Sequence, residues 1–146
     1  MRIWRISNYA DLSGIGGTLA SGRWHSKGRP ILYAAEHSAL ALLEALVHLD
    51  RGELPDSFQL LGIDIPDAVE FESPPQKELA ADWAQDEAAT RRVGDRWLRG
   101  ATSLLLRVPT ALVPHAWNFL VNPGHPDMAA ATIASVDRAP FDGRLS

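Results

Sequence analysis

"PILYAAEHSALALLEALVHLD", Pro30 to Asp50, decides the fold, because it sets a short apolar strand directly before an apolar helix. Proline at the head of a strand removes no interior ladder bond, and "PILYAAE" is brief and apolar, so it reads as a buried strand. Ser38 reads as the cap of the following helix, which is expected to end near Asp50 to Gly52. That helix is apolar on almost every side, which predicts packing inside the molecule. Glu44 breaks the pattern. Nothing nearby in sequence neutralises it, and a buried carboxylate without a partner is costly, so it must be paired, hydrogen-bonded, protonated or facing a cleft that uses the charge.

Outward from this unit, "MRIWRI" reads as a first strand and "FQLLGIDIP" as another, closed by Pro66. Between the first strand and Pro30, "DLSGIGGTLASGRW" is rich in glycine. Gly14, Gly16 and Gly17 resemble a phosphate-cradling loop, but no Lys-Ser/Thr follows them, and a plain flexible loop is the simpler reading. "ESPPQKELAADWAQDEAATRRVGDRWLRG" predicts one or two amphipathic helices ending at Gly100, with Leu79, Trp83, Val93, Trp97 and Leu98 facing inward. "SLLLRVPTALVP" and "WNFLVN" read as short strands with a kink between them, and "ATIASVDRAPFDGRLS" as a final strand and tail. The order is neither a regular βα alternation nor a bundle. It predicts a single α+β domain over residues 1–146, built on a mixed, mostly antiparallel or split sheet with flanking helices.

The chain has 146 residues, 46% hydrophobic and 22% charged, which is enough for one hydrophobic core without staples. There is no cysteine, which removes thiol nucleophiles and thiolate metal sites. With no long apolar stretch and no leader-like start, the expected location is the cytoplasm. A net charge of −4 argues against binding nucleic acid through a basic surface.

His37, Leu40, Ala41, Glu44 and His48 fall on one helical stripe, which places His48 one turn from Glu44. A buried ion pair is the plain reading of Glu44 and His48. A metal is not expected, since His25, His115 and His125 lack ligand spacing. Arg23 follows the glycine loop and Tyr33 lies on the strand entering the helix, so Arg23, Tyr33 and Glu44 can form one wall of a cleft. Arginine offers forked donors for phosphate, tyrosine a stacking face, and a desolvated carboxylate stabilises positive charge on a sugar carbon. Thr110, His115, Asn118, Asn122 and His125 bring small polar groups to an apolar frame, although "NPGHPD" is also plain turn chemistry. A Ser103, His115 and Asp127 triad lacks the nucleophile elbow that would support it.

"GRWHSKGRPILYAAEHSALALLEALVH", "LLLRVPTALVP", "NFLVNPGHPD" and "FDGRL" together resemble the RES-domain family, toxins of bacterial RES-Xre toxin-antitoxin pairs, over essentially the whole chain. Arg23 and Glu44 match the Arg and Glu of the family name; Thr110 stands where the family Ser is expected, with Ser103 the other candidate. The resemblance implies an ADP-ribosyltransferase-like fold and NAD as substrate, consumed by hydrolysis, phosphorolysis or transfer of ADP-ribose to a protein. It implies Glu44 at the ribose, Arg23 at the pyrophosphate or adjoining ribose, and Tyr33 stacked on nicotinamide. His48, Thr110, Asn118 and Asn122 are implied as pocket residues. It further implies an Xre-type antitoxin as partner and a homodimer. A ribonuclease-type toxin using His48 and Glu44, or a binding module without catalysis, are the competing readings.

Overall fold

The computed structural model describes residues 1–50 and 52–146. In chain order the elements are β1 (Arg2–Ile6), α1 (Gly16–Leu19), β2 (Leu32–Ala35), α2 (Ser38–Leu46), β3 (Ser57–Asp64), β4 (Phe71–Glu72), α3 (Glu87–Gly100), β5 (Leu105–Pro109), β6 (Trp117–Val121) and β7 (Thr132–Pro140). The strands form one seven-stranded sheet in the order β4-β5-β6-β2-β1-β3-β7. Every pairing is antiparallel except β4 with β5, so the domain is α+β on a mixed sheet.

The sheet is nearly divided at its centre. β1 and β2 meet through the single pair Trp4↔Ala35, whereas β1 pairs with β3 from Arg2↔Asp64 to Ile6↔Leu60 and β2 with β6 from Leu32↔Val121 to Ala35↔Asn118. Past Trp4↔Ala35 the strands diverge, and the Arg5 guanidinium spans the gap by donating to the Tyr33 carbonyl at 2.9 Å.

The two-residue period of the strands sorts their side chains to two faces. Ile3, Leu32, Ala34, Leu105, Phe119 and Val121 pack together on one face. Leu106, Val108 and Leu120 point the other way, against Trp24 and the Val93, Trp97 and Leu98 face of α3. Burying such side chains contributes roughly 1.5–3 kcal/mol each. Leu79 and Trp83 pack against the same cluster from the 3-10 turns that precede α3, as their spacing predicted. The Asp86 carboxylate accepts from the Ala89 N–H to start α3, and Ala101 closes it in the left-handed conformation.

α2 lies on this second face, over the division of the sheet, with Leu40 and Ala41 packed on Ala35, Trp4 and Ile6. Three expectations for it are corrected. The cap is His37, whose Nδ1 accepts from the Ala39 N–H, and Ser38 is the first helical residue. The helix ends at Leu46, where bonds from His48 to Ala45 and from Leu49 to Leu46 tighten the chain into 3-10 turns. It is also not enclosed: Leu40 and Ala41 are buried, while Leu43 is 40% and Val47 52% exposed. A helix laid on one sheet face needs only one apolar stripe, so the excess faces outward.

The glycine-rich segment is packed rather than loose. A Cβ on Gly17 would lie 2.6 Å from the Arg29 carbonyl, and one on Gly14, at φ +67°, would lie 2.8 Å from the Ile31 N. These glycines let two chain segments touch, which accounts for them without a phosphate.

Candidate active site

Glu44 is answered by two neutral donors. The Thr110 hydroxyl and the Asn118 side-chain amide both donate to its Oε1, each at 2.6 Å. Among the described residues nothing engages Oε2, and no cation pairs with the carboxylate. Both donors are placed by the sheet. Asn118 lies opposite Ala35 and Val108 on β6, and Thr110 extends the β5–β6 ladder by donating its N–H to the Ala116 carbonyl. The Thr110 hydroxyl accepts in turn from the Leu112 N–H at 3.1 Å, so both its roles are filled and its direction is fixed.

Tyr33 stands on β2 facing the α3 side. Its hydroxyl lies 2.7 Å from His25 Nδ1 and accepts from the Trp24 N–H at 3.2 Å. Burial pushes its pKa well above the ordinary 10.0. Gly22 makes room for it, since a Cβ there would sit 2.4 Å from the phenol oxygen. The loop that carries Arg23, Trp24 and His25 is clamped to α3. Thr90 donates to the Arg23 carbonyl, Arg91 Nε to the Gly22 carbonyl at 2.8 Å, and Ser26 is held by Asp95 through two bonds.

Between α2, this loop and the divided sheet lies a cleft of about 490 Å³, with a recess of about 190 Å³ beside it. Arg5, Tyr33, Glu44, His48 and Asn118 line both. The size and the mixture of apolar wall with a few convergent polar groups suit a small-molecule site. Arg23 also lines the larger part, with one guanidinium nitrogen donating to the Ala84 carbonyl at 2.7 Å.

The structure therefore gathers Arg23, Tyr33, Glu44, His48 and Asn118 at one cleft and sets Thr110 behind Glu44. His48 lies beyond the end of α2 and is exposed; among the described bonds none joins it to Glu44, so the expected ion pair is absent there. Asn122 is elsewhere. Its amide donates to the Leu98 carbonyl and its oxygen accepts from the Gly124 N–H, so it shapes a turn and ties α3 to the strand end. Ser103 is engaged with Trp97 Nε1 and Glu72, before β5, whereas Thr110 follows it; of the two hydroxyls only Thr110 meets Glu44. The Ser103 hydroxyl is taken up by Trp97, Glu72 and the Leu105 carbonyl, and among the described bonds none joins it to His115 or His115 to Asp127, so the triad is not assembled there.

Among the cleft residues that the sequence does not mark as a site are Arg5, Arg91, Glu87 and His25. Arg5 is a basic residue in an alternating strand, which looks like an ordinary solvent-facing position. Its burial lowers the guanidinium from its usual value, opposed by Asp11. Only the gap between β1 and β2 turns it into a cleft cation.

The RES domain family model matches residues 2–142. The chain is 46% identical to "Toxin Res" of Pseudomonas putida over 99% of each chain. It is 36% identical to "Prs ADP-ribosylating toxin" of a Sphingobium species, over 97% of this chain and 94% of that one. It is 39% identical to "Toxin Res" of Photorhabdus laumondii, over 76% and 72%. With a family match across nearly its full length and relatives of this similarity, the chain belongs to the RES domain family.

Proposed function

We propose that this chain is the toxin of a toxin-antitoxin pair and consumes NAD by cleaving the bond between nicotinamide and ribose. The observation that carries the reading is Glu44: one carboxylate oxygen held by Thr110 and Asn118, the other unengaged among the described residues, in a cleft that also holds arginines and an aromatic face. Cleavage of that bond builds oxocarbenium character on the ribose carbon. A carboxylate fixed by neutral donors is already oriented for that charge and needs no reorganisation when it develops. Arg5 and Arg23 supply forked donors for the pyrophosphate, and Tyr33 supplies a flat face for nicotinamide. Nicotinamide leaves as a neutral molecule, so the site requires no strong general acid.

The nucleophile that completes the reaction is water, phosphate or a protein side chain. A relative named as an ADP-ribosylating toxin favours keeping protein transfer as the second reading. Both share the half-reaction that Glu44 serves. In a cell, the chain would act in the cytoplasm, be silenced by an Xre-type antitoxin, and pair with a second copy of itself.

The test is a time course of purified protein with NAD, with and without inorganic phosphate, following nicotinamide and the ADP-ribose product. Wild-type turnover absent from Glu44→Gln is expected, and a phosphate requirement identifies phosphorolysis. An active Glu44→Gln chain sinks the assignment of Glu44. No turnover in either condition, together with ADP-ribose on an added protein, moves the assignment to transfer.

A further inference from the structure

We propose that His25 is a positioning residue: its buried imidazole, protonated on Nε2 and bare on Nδ1, ties the Gly17 lip of the cleft to the Tyr33 hydroxyl and fixes the ring in the cleft wall. His25 is only 2% exposed, and both its nitrogens are bonded. Nε2 lies 3.1 Å from the Gly17 carbonyl. A carbonyl can only accept, so Nε2 carries the hydrogen; in the neutral ring Nδ1 then offers a lone pair. The Tyr33 hydroxyl, 2.7 Å away, donates to it, and the Trp24 N–H fills the phenol's accepting side.

This chain of bonds has two consequences. The Tyr33 hydroxyl is spent on the protein, so what it offers a ligand is its ring. The two walls it joins also belong to one cleft, since Gly17 and Tyr33 both line it. The backbone around the imidazole is held as well. The Gly22 N–H is bonded to the His25 carbonyl at 3.0 Å, and a Cβ on Gly22 would overlap the phenol. His25 thus acts on a ligand through Tyr33.

The benefit of a fixed ring rests on the NAD reading; the imidazole arrangement itself does not. Two measurements on the full chain separate them. In ligand-free protein, nitrogen-15 NMR of the imidazole is expected to show Nε2 protonated and Nδ1 bare. The Tyr33 ring is expected to give one sharp set of signals that moves or broadens in His25→Phe. The opposite tautomer, or Tyr33 signals indifferent to His25→Phe, overturns the proposal.

With NAD, His25→Phe and Tyr33→Phe are each expected to raise KM about tenfold with less effect on kcat, because each removes the same buried bond. The double variant is expected to be no worse than either single change, and His25→Asn, which retains an acceptor for the phenol, to recover most of the loss. A His25→Phe chain that melts earlier but keeps the wild-type KM, or KM effects that multiply in the double variant, overturns the proposal. Should His25→Phe not fold, the wild-type tautomer and the His25→Asn kinetics decide the matter. Should wild-type protein leave NAD untouched, the NAD reading falls, and the tautomer and ring signals alone decide whether His25 positions Tyr33.

Discussion

Thr110 and Glu44 are 66 positions apart in sequence, and the Thr110 hydroxyl donates to Glu44 Oε1 at 2.6 Å. The carboxylate is therefore aimed by a residue at the end of β5 that only the fold brings beside α2.

Thr110→Val removes that donor and also the acceptor of the Leu112 N–H, which belongs to an exposed residue, so the stability loss is expected to be about 1 kcal/mol. NAD turnover is expected to fall roughly ten- to hundredfold, as a mispositioned electrostatic group commonly costs. Thr110→Ser keeps the hydroxyl and is expected to stay within about threefold of wild type. Melting temperatures and turnover of the two variants check this, and a Thr110→Val chain that keeps wild-type turnover would show that the hydroxyl does not position Glu44.

Arg5→Lys should raise the KM for NAD about tenfold, because a point charge replaces a planar fork. It also gives up the geometry with which Arg5 reaches the Tyr33 carbonyl across the divided sheet. Saturation kinetics decide it; an unchanged KM would remove Arg5 from the site.

Tyr33 links pH to stability. Its folded pKa lies above the unfolded value of 10.0, so the folded state retains a proton that the unfolded chain loses. The stabilisation is present in full below pH 10 and lost as pH rises beyond it toward the folded value. Thermal unfolding at increasing alkaline pH should therefore show wild type losing ground to Tyr33→Phe once pH passes 10. A constant difference between the two chains across that range would contradict the buried phenol.

Gly94 lies inside α3, where alanine ordinarily gains about 1 kcal/mol over glycine. Here a Cβ would fall 1.6 Å from the Trp24 carbonyl oxygen, which is backbone and cannot swing aside. Gly94→Ala should reverse the usual sign and destabilise by about 3 kcal/mol or more, since α3 must move off the loop that holds Arg23 and His25. Chemical denaturation measures it, and a stabilised variant would mean that the helix and loop are not in contact.

Much of this arrangement is legible in the sequence because it is local. Alternation in "MRIWRI" and "FQLLGIDIP" and the spacing of Val93, Trp97 and Leu98 follow from the periods of strand and helix, which any short window displays. Glu44 is legible for the same reason, as a charge in an apolar run. The cap of α2 was missed because His37 and Ser38 can both accept from the first turn, and backbone angles choose between them. The end of α2 was missed because apolar residues continue past the point where the sheet stops supporting them.

Local pattern alone was enough for β1, β2, β3, β5, β6 and β7, for α3 and for the need to satisfy Glu44, while the two-residue β4 is too short to show a period. How that need is met follows from the packed fold: by Thr110 and Asn118 rather than His48, with Ser103 and Asn122 occupied elsewhere and Arg5 turned into a cleft. The reason is physical. Periodicity fixes which face a side chain takes within its own element, but a hydrogen bond between residues 66 or 74 positions apart depends on strand order and register. In this sheet the single Trp4↔Ala35 pair opens the gap where those residues meet.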